Sequence, residues 1–210
     1  MPSYKLTYFP VRGRAELARI IFHYTKTPFE DIRVKGEEWQ ALKKSGKPPF
    51  GFLPILEVDG TVISSSSAIV LYISEVTGLV GDTLLDKARG VMVMDAIGDL
   101  LNPFLPKFFQ EQDPSKKAEL AKEFCEKTLS PWIEKLNVLY KQNGQGDAWF
   151  VGSKLTYVDL GIFNLFDFLS TMFKKDANEL LGAHPKLLAL CKRVKELPKV
   201  AAYLESRPPM

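Results

Sequence analysis

The chain has 210 residues, 46% of them hydrophobic, with 28 basic and 25 acidic side chains and a formal net charge of +3; that suffices for one large or two modest domains with a sizeable core. The basic residues are scattered rather than gathered in a stripe, which gives nucleic-acid binding no support. No apolar run approaches the ~18 residues of a membrane span, and Met-Pro-Ser-Tyr-Lys at the start carries no apolar signal region, so a cytoplasmic location with neither nucleic acid nor membrane as partner is expected.

Up to about residue 78 the chain alternates short strand-like and helix-like segments. Tyr4 to Tyr8 alternates as a strand, Arg14 to Tyr24 carries apolar residues at helical spacing, and Phe29 to Val34 is strand-like again. Glu37 to Leu42 reads as a short helix. Ile55 to Val58 and Thr61 to Ile63 then form a hairpin across Asp59-Gly60, and Ser66 to Glu75 resumes helical spacing. This βαβαββα order predicts a small mixed sheet with helices on its faces. Pro54 heads the third strand, a position where its missing N–H is tolerated. Ser66, in the run Ser64 to Ser67, falls where the last helix needs an N-cap.

Beyond Gly81 the strong signals are helical. Leu85 to Phe109 runs into Pro103 and Pro106, and Ser115 to Gln142 is interrupted at Pro131, so kinks are expected. Thr156-Tyr-Val-Asp159 matches a capping box, flanked by Leu155 and Leu160 as a hydrophobic staple, and predicts a helix from Tyr157 to Phe173. Shorter helices follow Pro185 and Pro198. The expected division is a first domain over 1–78, a linker over 79–84 and an all-α domain over 85–210.

Two cysteines, Cys125 and Cys191, lie far apart in helical patterns, and two histidines, His23 and His184, sit in structural or solvated surroundings. Neither a disulfide framework nor a metal site can be built from them, and no metal is expected.

The order of these motifs resembles the cytosolic glutathione transferases. Tyr4-Lys-Leu-Thr-Tyr8-Phe9 followed by Arg12-Gly-Arg-Ala-Glu16 is similar to the opening of the sigma class and of nematode transferases, and Leu53-Pro-Ile-Leu-Glu-Val-Asp-Gly60, Ser66-Ser-Ala-Ile69 and the Asp159 capping box extend the likeness through nearly the whole chain. The resemblance implies a thioredoxin-like βαβαββα domain joined to a helical bundle, a homodimer, and reduced glutathione as co-substrate. It further implies that Pro54 is cis and that the backbone of Leu53 pairs with the cysteinyl part of glutathione.

The chemistry such a site needs can be assigned residue by residue. A thiol of pKa about 8.5 is only a few per cent thiolate at neutral pH, and each unit of lowering takes about 1.4 kcal/mol of preference for the anion. Tyr8 is the expected donor to sulfur, with Arg14 and the following helix N-terminus adding positive charge. Trp39 and Lys43, four residues apart, face the glycyl carboxylate. Ser65 and Ser66 receive the γ-glutamyl carboxylate, although Ser65 departs from the glutamine usual in the family, which implies weaker binding at that end. Asp99 stands where related enzymes send an acid into the neighbouring subunit's site. Phe9, Val11 and Gly13, with Phe104 and Phe108, are the expected wall for an apolar electrophile.

The leading expectation is conjugation of the glutathione thiolate to hydrophobic electrophiles. One alternative is a carrier of haem or other hydrophobic anions. Another is glutathione-dependent prostaglandin isomerisation, ranked lower because Pro106 stands where the vertebrate isomerase carries a tryptophan. A thioredoxin-type oxidoreductase is disfavoured, since residues 1–78 contain no cysteine.

Overall fold

In the computed structural model residues 2–208 are described. The chain divides into two units: one joins the stretch up to Leu79 to the stretch from Glu196 onward, and the other runs from Val80 to Lys195.

The first unit is built on a four-stranded sheet of β1 (Tyr4–Tyr8), β2 (Glu30–Arg33), β3 (Ile55–Val58) and β4 (Thr61–Ser64), in the order β2-β1-β3-β4. β1 pairs parallel with β2 and antiparallel with β3, placing Tyr8 opposite Arg33 at the end of the sheet. The β3–β4 turn is Asp59-Gly60, with φ of 48° and 87°; positive φ at both positions is what a two-residue hairpin requires and what Asp-Gly tolerates.

α1 (Glu16–Thr25) is entered through a short 3-10 turn at Gly13–Ala15 and buries Leu17, Ala18, Ile20, Ile21 and Phe22. It packs with α3 (Ser66–Val76), which buries Ile69, Val70 and Ile73, and Phe22 meets Tyr4 and Phe29 ring to ring. α2 (Gly36–Lys44) has no fully buried residue, in keeping with a half-solvated helix at the edge of the site. The sequence placed the α3 N-cap at Ser66; the structure corrects it to Ser65, because Ser65 has φ 80° and ψ 127° and helical dihedrals begin only one residue later.

The second unit is helical. α4 (Leu84–Leu101) starts from a Thr83–Asp86 capping box, with the Asp86 amide donating to Thr83 Oγ1 at 3.0 Å. Pro103 stops it, and α5 (Leu105–Gln110) resumes with a proline in its first turn. α6 (Pro114–Glu123) passes through a π-helical segment, Phe124–Leu129, into α7 (Ser130–Lys141), so the break expected near Pro131 is met by one wider turn. α8 (Tyr157–Phe173) is apolar around most of its circumference and packs on α4, on α9 (Ala177–Leu181) and on α10 (Pro185–Lys195), as a central helix should.

α11 (Pro198–Ser206) returns to the first unit and lies against α1. The helical domain read from the sequence over 85–210 therefore loses its last helix to its neighbour. The reason is chemical: Tyr203 and Arg207 are drawn to a buried carboxylate, Glu16, at the start of α1.

Candidate functional site

β1 delivers Tyr8 to the end of the sheet with its side chain 8% exposed. The loop from Phe9 to Gly13 then doubles back: the Val11 amide donates to the Phe9 carbonyl at 2.8 Å, and the Arg14 amide donates to the Tyr8 hydroxyl oxygen at 3.3 Å. That bond engages a lone pair of the phenol rather than its proton, and it polarises the O–H as a donor. Gly13, at φ +42°, makes the closure sterically feasible. Among the residues expected to wall an apolar site, Gly13 thus has a different contact, packing directly over the phenol. Arg14 itself is exposed.

Phe9 is half-buried, with its ring edge-on to Tyr8 at 5.4 Å and to Trp39 at 5.6 Å. Trp39 and Lys43 share one face of α2; the Lys43 ammonium lies 5.9 Å from the indole centroid, and Gly51 is within van der Waals reach of its stem. An indole N–H donor and an ammonium therefore stand side by side on a mostly exposed helix, a pair suited to a carboxylate. Val11 is exposed.

The Leu53–Pro54 peptide is cis, as the resemblance implied, and both residues are buried immediately before β3. At the N-terminus of α3 the Ser65 side chain makes no capping bond, so the first amides of an eleven-residue helix are left to an outside acceptor, with the helix dipole behind them. A carboxylate fits that end.

In the second unit Asp99 is exposed on α4, one turn beyond the equally exposed Asp95. Phe104 and Phe108 do not stand open as a wall. They are 9% and 7% exposed and pack into an aromatic cluster in which Phe104 stacks on Phe124 at 3.9 Å and both approach Phe173. Among the described residues no group of three or more His, Cys, Asp and Glu side chains is arranged to hold a metal ion, and no helix is long and apolar enough to cross a membrane.

Sequence reasoning missed a group of charges beneath the Tyr8 loop. Arg19, 1% exposed in α1, is bonded to Glu16, Asp31 and two loop carbonyls, and Glu16 is met in turn by Tyr203 and Arg207. Burial, with the nearby Glu16 carboxylate, pushes the Tyr203 phenol far above its ordinary value, so it stays a donor. The signal was present as a lone arginine inside Leu17-Ala18-Arg19-Ile20-Ile21. Apart from Glu16, one turn earlier in α1, its partners lie in the preceding loop and on β2.

Two family models match the chain: "Glutathione S-transferase, N-terminal domain" over residues 4–75 and "Glutathione S-transferase, C-terminal domain" over residues 98–207. Among curated relatives, "Glutathione S-transferase 1" of Ascaris suum is 37% identical, with 99% of this chain and 98% of that protein covered. "Hematopoietic prostaglandin D synthase" of Gallus gallus is 38% identical over the same shares of the two chains. Among solved structures, the glutathione S-transferase from Ascaris lumbricoides superposes with a TM-score of 0.87 at 34% identity, covering 100% of this chain and 99% of that one.

Proposed function

Since the chain belongs to the glutathione S-transferase family, we propose that it joins the thiolate of reduced glutathione to hydrophobic electrophiles with Tyr8 as the hydrogen-bond donor to sulfur. The observation that carries the assignment is the bond from the Arg14 amide to the Tyr8 hydroxyl oxygen, which occupies a lone pair of the phenol and leaves its proton to be donated. The thiol releases its proton to solvent, the phenol stabilises the sulfur anion, and the thiolate forms the new carbon–sulfur bond as the electrophile's leaving group departs with its electron pair or its π bond takes up the pair and is protonated from solvent. Positioning of the two substrates supplies much of the acceleration.

The remaining roles are those the family resemblance implies, and the charge and exposure of the residues are compatible with them. Trp39 and Lys43 hold the glycyl carboxylate, the backbone of Leu53 ahead of Pro54 meets the cysteinyl portion, and Ser65 and Ser66 present the α3 N-terminus to the γ-glutamyl carboxylate. Exposed Asp99 reaches the glutamyl ammonium of a partner subunit in a homodimer. Phe9 and Val11, apolar and accessible beside Tyr8, receive the electrophile. The same thiolate would serve prostaglandin isomerisation, and the 38%-identical relative is named a prostaglandin D synthase.

The test is the pH dependence of conjugation to a generic aryl halide by the natural protein and by Tyr8→Phe. The natural protein is expected to follow a group titrating well below the free thiol's value of about 8.5, and Tyr8→Phe to lose that displacement. Identical profiles for the two proteins would assign the sulfur contact to another residue.

A further inference from the structure

We propose that Arg19 is a positioning residue that holds the Tyr8 hydroxyl in place by anchoring the loop between β1 and α1; the inference rests on Tyr8 being the donor to sulfur. Arg19 sits in the apolar face of α1 at 1% exposure, where an unpaired guanidinium would be intolerable. Carboxylates alone could have satisfied it. Instead its Nη1 is shared among the Val11 carbonyl at 3.0 Å, the Arg12 carbonyl at 3.2 Å and Glu16 Oε2 at 3.3 Å, while Nε donates to Asp31 Oδ1 at 3.1 Å. Two of these four acceptors are backbone atoms of the loop that carries the chain from Tyr8 to the Arg14 amide.

The anchor is itself held from several elements. Asp31 on β2 is shared with Arg33, whose Nε and Nη2 lie 2.9 and 2.8 Å from Oδ2. Glu16 Oε1 accepts from the Tyr203 hydroxyl and from Arg207, each at 3.1 Å. Three guanidinium groups thus share two carboxylates, leaving the cluster with an excess of positive charge. The Arg19 guanidinium carbon lies 6.0 Å from the Tyr8 ring centroid, so the cluster stands next to the phenol. Nε and Nη1, fixed in one plane, serve two carbonyls and two carboxylates while Nη2 makes no hydrogen bond among the described residues, an arrangement a single ammonium on a flexible stem cannot reproduce.

The experiment measures kcat, KM for glutathione and the pH profile of aryl-halide conjugation for Arg19→Lys and Asp31→Asn beside the natural protein and Tyr8→Phe. Arg19→Lys keeps the charge and loses the fork. It is expected to lower kcat about tenfold at mildly acidic pH and to move the acid limb upward, with KM for glutathione within about twofold, the split expected when transition-state stabilisation alone is lost. Asp31→Asn, isosteric and on a partly exposed residue, is expected to shift the profile the same way by about threefold in kcat, and it decides the matter if Arg19→Lys does not fold. Folded variants with the natural profile overturn the proposal. So does a loss equal at every pH with KM raised in step, because that reports general damage. If Tyr8→Phe itself keeps the natural profile, the assignment of Tyr8 falls, and this inference falls with it.

Discussion

A Cβ placed on Gly13 would fall 2.8 Å from the Tyr8 hydroxyl oxygen and 2.9 Å from the ring carbon Cε1, closer than side-chain atoms pack. The loop can cross the phenol only because residue 13 lacks a side chain. Its φ of +42° independently disfavours any other residue. Gly13→Ala is therefore expected to displace the phenol, to cost about 1–3 kcal/mol of stability, and to lower kcat at least about tenfold. Steady-state kinetics with a thermal melt check this; a folded Gly13→Ala with natural kcat would show that Tyr8 is not the sulfur's partner or that the loop yields at no cost.

At the glutamyl end the test is a gain. Ser65 makes no side-chain cap and sits at φ 80°, a conformation as strained for glutamine as for serine. Ser65→Gln lengthens the side chain without altering that strain and restores the residue the resemblance implies. One added hydrogen bond to a carboxylate is worth about 1 kcal/mol, so KM for glutathione is expected to fall about fivefold with kcat little changed. An unchanged or higher KM would mean that the carboxylate is met elsewhere.

Local pattern revealed most of the fold and only part of the site. β1, the Asp59-Gly60 turn and the start of α8 were legible because each is specified by neighbours: alternation, two residues that tolerate positive φ, and a Thr156–Asp159 cap. The Ser65/Ser66 boundary was misread by one residue, since four serines in a row do not reveal which takes the unusual dihedral. Phe104 and Phe108 look alike in sequence whether they line a cleft or fill a core. Phe104 stacks on Phe124, twenty residues away, Phe108 packs on Phe104 and Phe173, and both are buried in that cluster. The Arg19 cluster was beyond periodicity altogether. The donors that hold its carboxylate Glu16 are 187 and 191 residues away, and a helical pattern registers Arg19 only as an interruption. Interactions with no local signature are also the ones that return α11 to the first unit.

Asp159 allows a prediction in which two effects oppose. Fully buried at the head of α8, it accepts from the Phe150 amide at 2.7 Å, from the Thr156 amide at 2.8 Å and from the Thr156 hydroxyl at 3.0 Å. Burial raises its pKa from 3.8 to about 6, outweighing the three bonds, which lower it. The folded state therefore keeps a proton that the unfolded chain has already released. Stability from this group is fully present below the unfolded value and is lost as pH rises through about 6, by at most about 3 kcal/mol across the window. Other carboxylates, among them Glu57 and Asp176, are shifted downward and act in the opposite sense, so a bare pH–stability curve would mix the two. The comparison is with Asp159→Asn, which cannot titrate and turns an amide donor toward one of the N–H groups. It is expected to be less stable by about 1–3 kcal/mol, with urea midpoints showing the gap widest near pH about 4 and narrowing toward pH about 7. A gap that widens with rising pH would show that the three donors, rather than burial, govern the carboxyl group, and that the α8 cap works as an anion.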